Sequence, residues 1–288
     1  MKSFRLDRST HRMKISEYLR EIQNYSSRSL RRVLVYLDNK QVRLTKKLPS
    51  SGTLKVVEKE KETNIKPIQM KLDIVYEDQD LLIINKPYGL VTHPTLKKVD
   101  ITLANGVVYY LNTVPRFYNR LDMDTTGLII VAKNSYTQSF LQNYGNVRKK
   151  YLAIVEGKLE KETIIEKNIY RPENEIKRII DEKGQYAKTK VRPIEYNEKQ
   201  DISLVECELF TGRTHQIRVH LSYIGHPILG DKLYSDKENN DVKRQMLHSY
   251  SLEFIHPRTK EKMDITIEAY DDMKKILKKY SKNDSKML

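Results

Sequence analysis

Short apolar runs recur over the last three quarters of the chain, and turn residues separate them. Six runs rich in β-branched side chains predict β-strands: LDIVY, DLLIINK, GLIIVAK, KYLAIVEG, SLVECELF and MDITIEA. Four of the intervening segments are predicted to be helical: residues 101–111, 135–147, 214–224 and 271–280. This order, rich in strands with helices inserted, predicts an α+β domain over residues 72–280, built on a mixed or antiparallel sheet.

The first 60 residues have a different pattern. Apolar residues recur at helical spacing in KISEYLREIQ, which predicts a first helix. A second helix is predicted over SRSLRRVLVYL, with Ser26 or Ser27 as its cap and arginines mainly on its polar side. The strand-like pieces QVRL and TLKVVEK follow a turn. These elements predict a compact module over residues 1–60.

Two polar segments complete the predicted division of the chain. Residues 61–71 contain Pro67 and lack a sustained apolar period, so they are predicted to be a linker between the module and the larger domain. Residues 281–288 are predicted to be a polar tail. The chain would then consist of a small module, a linker, one large domain and a short tail.

Positive charge is concentrated in the first module. The chain has 53 Lys and Arg against 38 Asp and Glu, a net charge of +15. Residues 1–60 hold 15 of these cations against 6 anions, so they carry +9 of the excess. This concentration indicates a polyanionic partner. The alternative is a solvated basic surface that only favours solubility.

Composition and motifs exclude several classes of function. The one Cys cannot build a disulfide framework or a multi-cysteine metal site, and it fits a reducing compartment such as the cytoplasm. No apolar stretch approaches the roughly 20 residues of a membrane helix, and the charged first residues lack the apolar core of a signal peptide. Glycine motifs that cradle phosphates are missing, and the spacing of His215, His220 and His226 does not suit a metal site. We therefore expect no cofactor, no metal and no membrane partner.

The segment YNRLDMDTTGLIIVAKN places two carboxylates just before a strongly apolar strand. Asp122 and Asp124 flank Met123, and Arg120 lies two residues before the first of them. One interpretation is a turn stabilised by a surface ion pair, which contributes little. The other is an active-site nucleophile or base that an arginine keeps ionised.

The segment FTGRTHQIRVHLSYIGHPILGD predicts a helix that Thr214 caps and that ends before Gly225. Arg213 at the helix entrance is placed to meet a carboxylate or a phosphate. The polar side carries Gln216, Arg218 and His220, which suits either a phosphate backbone or an ordinary solvated face.

In RKKYLAIVEGKL, Tyr151 opens a strand and follows three cations, Arg148, Lys149 and Lys150. A Tyr beside cations can stack on a nucleobase while the cations bind its phosphates, although such a residue is more often an ordinary member of a sheet.

Taken in order, five segments resemble the motifs of the pseudouridine synthases of the RluA branch, which act on ribosomal or transfer RNA: VYEDQDLLIINKPYGLVTHP, NRLDMDTTGLIIVAKN, KKYLAIVEGKL, TGRTHQIRVHLSYIGHPILGD and MLHSYSLEFIHP. The resemblance covers residues 72–270. It implies a long, mixed, mostly antiparallel sheet with helices around a central RNA-binding cleft. The segment SSRSLRRVLVYLDNKQVRL resembles the small α/β S4-like RNA-binding domain and implies RNA contacts by four arginines: Arg28, Arg31, Arg32 and Arg43.

The resemblance also implies roles for single residues. Asp122 matches the nucleophilic carboxylate, and Tyr151 matches the residue that stacks on the target base and is a candidate for removing its C5 proton. Arg213 matches the arginine that pairs with the catalytic carboxylate, and Leu247 is the implied apolar contact to the base. RNA contacts are expected from Arg120, Lys149, Lys150 and Arg218. Asn119 stands where the commoner pattern has His, and we expect this change to affect RNA contacts or branch identity rather than activity.

The implied reaction isomerises uridine to pseudouridine in structured RNA and needs no redox centre, nucleotide or metal. The expected substrate is 23S ribosomal RNA, and transfer RNA is the alternative. A different class, a non-catalytic RNA-binding or ribosome-assembly protein, would have no need of Asp122, Tyr151 and Arg213 together. A carboxylate-based hydrolase would need a second acid, for which Asp124 is the near candidate. We expect a cytoplasmic monomer.

Overall fold

The computed structural model describes residues 2–58, 63–94, 101–237 and 242–280, without the side chains of residues 28, 58, 279 and 280. The chain divides into two compact units, Met1–Asn64 and Ile65–Leu288. Within the described ranges, no helix is long and apolar enough to cross a membrane.

The first unit is a small sheet with short helices. Its elements, in chain order, are β1 (Lys2–Leu6), a 3₁₀ turn (Arg8–Thr10), α1 (Ile15–Glu17), which continues as a π-helical turn (Tyr18–Ile22), α2 (Ser27–Leu30), β2 (Val33–Leu37), β3 (Lys40–Val42) and β4 (Gly52–Glu58). The strands form an antiparallel sheet in the order β1-β4-β2-β3. Ile15 and Leu19 from the helical segment pack with Val35 and Leu54 of the sheet to form its core.

The prediction of a second helix extending to Leu37 is wrong. The helix ends at Leu30, and the rest of the run, VLVYL, is a strand between β3 and β4. Its β-branched valines favour extended backbone, and Val35, paired with Val42 on one side and Val56 on the other, is 2% exposed. The predicted cap is present, because the Ser26 hydroxyl accepts a hydrogen bond from the Ser29 N–H at 3.1 Å.

The second unit is built on one large sheet. Its strands are β5 (Ile74–Glu77), β6 (Leu81–Lys86), β7 (Arg116–Phe117), β8 (Thr126–Ala132), β9 (Arg148–Glu156), β10 (Thr163–Glu166), β11 (Ile169–Tyr170), β12 (Ile179–Ile180), β13 (Lys188–Asn197), β14 (Ile202–Leu209), β15 (Leu247–Ile255) and β16 (Lys262–Thr266). Its helices are α3 (Leu103–Leu111), α4 (Ser135–Asn143), α5 (Gln216–Tyr223) and α6 (Asp271–Tyr280). Within the described residues the sheet has ten strands, in the order β10-β13-β14-β9-β15-β8-β6-β5, with β16 beside β15 and β7 beside β8, while β11 and β12 pair separately.

Both faces of the central strands β6 and β8 are covered. Leu82, Ile84, Ile129 and Val131 belong to a cluster that includes α3, α5 and α6. The alternate residues on the same strands belong to a second cluster, with Leu141 of α4. Burial on both faces explains why these strands are continuous apolar runs rather than alternating ones.

The six predicted strands and the four predicted helices of this unit are present, with ends shifted by a few residues. The predicted mostly antiparallel, mixed sheet is confirmed: among the described strands, β15 and β8 pair in parallel and the other neighbours are antiparallel. Part of the predicted linker lies against α3, where the Ile68 N–H donates to the Asn105 carbonyl at 3.2 Å.

The parallel pairing of β8 with β15 determines the position of the site. Ser249 lies opposite Gly127 of β8 on one side and opposite Tyr151 of β9 on the other. Gly127 has φ +108°, and a Cβ there would come within 2.2 Å of the Ser249 carbonyl oxygen. The start of β8 therefore lies unusually close to β15, and the loop that carries Asp122 lies beside both strands.

Candidate active site

One cavity of about 950 Å³ opens on the loop before β8, the start of α5 and the strands β9 and β15. It brings together eight of the predicted site residues: Asn119, Arg120, Asp122, Lys149, Tyr151, Arg213, Arg218 and Leu247. Lys150 does not line it. The volume is at the upper end of the range for ligand sites, about 300–1,000 Å³, and suits a nucleotide with part of its neighbours.

The backbone around Asp122 is fixed by four consecutive hydrogen bonds. Each carbonyl from Leu121 to Asp124 accepts one bond. The donors, in the same order, are Thr92 Oγ1 at 3.0 Å, Thr125 N at 3.1 Å, Lys86 Nζ at 2.8 Å and Arg244 Nη1 at 3.0 Å. A loop held in this way presents its carboxylate in one orientation before any substrate arrives.

Lys86 is a buried residue that the sequence did not indicate as part of the site. Its side chain is fully buried, and its Nζ donates to the carbonyls of Pro87, Leu90 and Met123 at 2.7, 2.9 and 2.8 Å. Burial lowers the pKa of Lys86 to about 7. Three acceptors require three N–H donors, so the contacts themselves favour the ammonium form.

The carboxylate of Asp122 is paired with Arg218. Arg218 Nη1 donates to Asp122 Oδ2 at 2.9 Å, and the other edge of the guanidinium forms a two-bond pair with Asp231 at 2.7 and 2.8 Å. Arg218 is 7% exposed and lies over the ring of Tyr234. The prediction that Arg218 contacts RNA phosphates is therefore wrong, because both edges of its guanidinium bind carboxylates.

Arg213, predicted to pair with Asp122, makes a different contact. Its Nε donates to the Tyr186 carbonyl at 2.9 Å, and its side chain is exposed at the cavity. The pairing predicted for Arg213 belongs instead to Arg218, five residues later in the same motif. Arg213 precedes α5, and Arg218 lies in its first turn. A single sequence does not reveal which face of this helix is buried, and so it does not reveal which of the two arginines pairs with Asp122.

The polar side of α5 is buried rather than solvated. Gln216 bonds to Thr211, to the backbone N–H of Arg213 and to Thr189, and His220 bonds to Thr189 and to the Lys167 carbonyl. The predicted cap is also wrong, since His215 rather than Thr214 precedes the helix, with φ +57°. This face therefore holds the helix against β13 instead of binding phosphate.

Tyr151 and Leu247 form an apolar part of the cavity wall. Both are buried, at 5% and 4% exposure, on the neighbouring strands β9 and β15. Burial raises the pKa of the Tyr151 hydroxyl well above its ordinary value, so the phenol is neutral at physiological pH. The ring is therefore suited to stacking on the target nucleobase. To remove the C5 proton, the neutral phenol would first have to give its own proton to a neighbouring acceptor.

Alternation along β9 separates its lysines. Lys149 and Tyr151 share the cavity side, where the Lys149 Nζ lies 6.0 Å from the centre of the Tyr118 ring. Lys150 points to the other face and pairs with Glu253 at 3.0 Å. The expectation that Lys150 contacts RNA at this cavity is therefore wrong, because its ammonium group pairs with Glu253 on the opposite face of the sheet.

Asn119 and Arg120 are adjacent but differently placed. The Asn119 amide accepts from the Ile130 N–H at 2.9 Å and donates to the Leu128 carbonyl at 3.1 Å. These two hydrogen bonds hold the loop against β8, and the effect on RNA contacts or branch identity expected at Asn119 stays a prediction. Arg120 is exposed at the cavity.

The chain was compared with known proteins. Residues 80–223 match the family model described as RNA pseudouridylate synthase. The uncharacterized RNA pseudouridine synthase YlyB of Bacillus subtilis is 39% identical over 227 residues, which are 74% of each chain. The ribosomal large subunit pseudouridine synthase D of Zymomonas mobilis is 36% identical over 235 residues, also 74% of each chain. The solved structure of human RNA pseudouridylate synthase domain containing 1 aligns with a TM-score of 0.58 at 26% identity, covering 72% of this chain and 86% of its own.

These findings show that the chain belongs to the RNA pseudouridine synthase family. It is an isomerase that converts uridine to pseudouridine in RNA, as the five motifs predicted.

Proposed function

We propose that this synthase modifies 23S ribosomal RNA and that Asp122 is its nucleophilic carboxylate. The observation that carries the proposal is the Asp122 carboxylate, held by Arg218 in a cavity beside Tyr151 and Leu247. The RNA target is supported by the Zymomonas mobilis relative, which is named as a ribosomal large subunit pseudouridine synthase.

The reaction breaks the N1–C1′ bond, turns the base and makes a C5–C1′ bond, after which the C5 proton is lost and N1 gains one. An ionised carboxylate can attack C1′, add to C6, or promote removal of the C2′ proton through a glycal. All three routes require an ionised Asp122 in a fixed orientation, and the hydrogen bond from Arg218 fixes the orientation of its carboxylate.

The glycosidic atoms are shielded within a stacked helix, so the uridine has to be flipped into the cavity, at a cost of a few kcal/mol. Tyr151 would recover part of this cost by stacking on the base, and Leu247 would recover more through apolar contact. Their burial on adjacent strands supports a slot of fixed width.

The cations at the cavity mouth are suited to RNA phosphates. We define the rim as Arg120, Lys149 and Arg213, which line the cavity without an ion pair to a carboxylate among the described residues. Each cation that neutralises a phosphate adds to the salt dependence of binding.

We further propose that the first unit is an S4-like RNA-binding domain. Arg31, Arg32 and Arg43 are exposed, and Arg43 lies with Lys46 in a concavity of about 470 Å³. The side chain of Arg28, predicted to join them, lies outside the described part of the structure. We expect the enzyme to act as a monomer in the cytoplasm.

The role of Asp122 is tested with Asp122→Asn, and Asp124→Asn is the matched control, because Asp124 lies in the same loop but does not line the cavity. We expect Asp122→Asn to abolish pseudouridine formation while RNA affinity changes less than about threefold, and Asp124→Asn to retain activity. Activity of Asp122→Asn at the wild-type rate would exclude the proposed nucleophile.

The substrate is tested by mapping pseudouridines in total RNA from cells with and without the gene. Loss of a position in 23S ribosomal RNA, restored by the purified enzyme on an in vitro transcript, is the expected result. Loss confined to transfer RNA would favour that alternative, and an unchanged map together with RNA binding would favour a ribosome-assembly role.

A further inference from the structure

A histidine outside the roles described above lies against the proposed nucleophile. His215 lines the cavity, and its Nε2 is 3.8 Å from Asp122 Oδ2, the same oxygen that Arg218 contacts. Its other ring nitrogen, Nδ1, is 2.9 Å from the hydroxyl of Tyr234. The side chain of His215 is 12% exposed, so it is largely shielded from solvent.

The partners of Tyr234 favour one tautomer of His215. The Tyr234 hydroxyl accepts a hydrogen bond from the Arg178 N–H at 2.8 Å. A backbone N–H can only donate, so the single hydroxyl proton is free to be donated to His215 Nδ1. In the neutral ring the remaining proton is then on Nε2, the nitrogen that faces Asp122.

The backbone supports this placement. His215 has φ +57°, a left-handed conformation that a residue with a Cβ adopts at a cost, and it immediately precedes α5. The rings of His215 and Tyr234 meet edge to face, with centres 5.7 Å apart. Arg218 lies over the same Tyr234 ring, 5.0 Å from its centre. One tyrosine thus supports both groups that approach Asp122 Oδ2.

We propose that His215 is a positioning residue that donates Nε2–H to Asp122 Oδ2 as a second hydrogen bond when a uridine fills the cavity. The inference rests on the proposed function of Asp122. At 3.8 Å the atoms are not yet hydrogen-bonded, and catalytic contacts of this kind often tighten when substrate binds. With Arg218 and His215 both on Oδ2, Oδ1 is left to face the reacting carbon.

The charged groups around His215 favour its neutral form near pH 7. Burial lowers the pKa of the imidazole, and the positive charges of Arg218 and Arg178 lower it further, against the opposing effects of Asp122 and Asp231. Protonation at lower pH would place a proton on Nδ1, and the hydrogen bond with Tyr234 would reverse, with Nδ1–H donating to the hydroxyl oxygen. The imidazolium would then hold Asp122 Oδ2 as an ion pair, which makes the carboxylate a weaker nucleophile, so activity should fall on the acid side.

The test measures single-turnover pseudouridine formation at saturating RNA from pH 5 to pH 8. The variants are His215→Asn, chosen because Asn tolerates the left-handed conformation, His215→Gln and Tyr234→Phe. The control is His226→Asn, because His226 follows α5 and contacts the Glu156 carbonyl away from the cavity. RNA affinity and thermal stability are measured for each.

We expect both His215 variants to lose about tenfold in rate, the effect of one hydrogen bond to a charged group. Their RNA affinity should change less than about twofold, and the acid limb of the profile should move to lower pH. Tyr234→Phe should lose less, since the imidazole remains, and His226→Asn should behave as wild type.

A wild-type rate and pH profile in both His215 variants would overturn the inference. So would a loss of rate that tracks lower thermal stability with an unchanged pH profile, because a purely structural role has that effect. Asp122→Asn in the same assay separates the two proposals. If it is active, the proposed function fails; if it is inactive while the His215 variants match wild type, only this inference fails.

Discussion

Two arginines of one motif, five residues apart, illustrate two regions of the cavity. Arg218 belongs to a buried wall, in which it links Asp122 to Asp231. Arg213 belongs to the rim, where it is exposed and donates to the Tyr186 carbonyl. We count Lys86 and Arg244 with this wall although they do not line the cavity, because they bond to the loop carbonyls around Asp122 from behind.

The difference shows how similar side chains serve different purposes. A buried cation is stable only when it is paired. The buried cations of the wall therefore bind carboxylates and carbonyls, and these bonds hold the loop in one geometry. An exposed cation loses little solvation free energy when it exchanges water for a phosphate, so the cations of the rim are suited to binding RNA. The net charge of +15 therefore does not measure how many of the chain's cations can bind RNA, because some of them are buried and already paired.

The largest effect on stability is expected at Gly127, where β8 lies very close to β15. Gly127→Ala would place a methyl group 2.2 Å from the Ser249 carbonyl at a residue with φ +108°. We expect β8 and β15 to separate, lowering the free energy of unfolding by more than about 2 kcal/mol and abolishing activity. Urea unfolding measures this change. Gly89→Ala is a control, because Gly89 also has positive φ but has open space around it. Equal effects of the two changes would mean that backbone strain, rather than contact with β15, is responsible.

A smaller effect is expected from removing the buried ammonium group of the wall. Lys86→Met leaves three carbonyls without their donor, so we expect the free energy of unfolding at pH 7 to fall by about 2 kcal/mol.

The same variant should also change how stability depends on pH. The pKa of Lys86 is about 7 in the folded protein and has its higher, ordinary value in the unfolded chain. At a pH between these two pKa values, the unfolded chain therefore binds more protons at this residue than the folded protein does. This group therefore makes stability rise with pH above about 7, and Lys86→Met should remove that rise. Urea unfolding at pH 7 and pH 9 checks it, and an equal pH dependence in both proteins would contradict it.

The smallest effect is expected from the first unit. Replacing Arg31, Arg32 and Arg43 with Gln should weaken RNA binding by a few-fold and reduce the slope of log affinity against log salt by up to about 3. The turnover rate at saturating RNA should not change. Binding measured at several salt concentrations gives the slope. An unchanged slope would show that the first unit does not contact RNA.

Much of the large sheet could be predicted because local pattern and burial agree there. Runs such as LLII and LIIV are short and rich in β-branched residues, which favours strands, and the six predicted runs lie in the sheet. β13 and β15 were missed because their sequences are mixed. Pro193 lies at an irregularity of β13, and β15 buries His248, Ser249 and Ser251.

The site could be predicted as a set of motifs but not as a set of partners. The motifs identified Asp122, Tyr151 and Leu247, which line one cavity. They did not reveal that the polar side of α5 is buried, so the contacts of Arg213 and Arg218 were misassigned. Nor did any local pattern mark Lys86, whose three acceptors come from two loops that are distant in sequence.

The most direct test of the central claim compares Arg218→Gln with Arg213→Gln at saturating RNA. Circular dichroism and thermal melting verify that each variant is folded, and single-turnover kinetics measures pseudouridine formation. We predict that Arg218→Gln loses at least about a hundredfold in rate, because Asp122 and Asp231 lose their shared partner. Arg213→Gln should keep the wild-type rate and weaken only RNA binding. The reverse result in folded proteins, with Arg218→Gln active and Arg213→Gln inactive, would contradict the division between wall and rim.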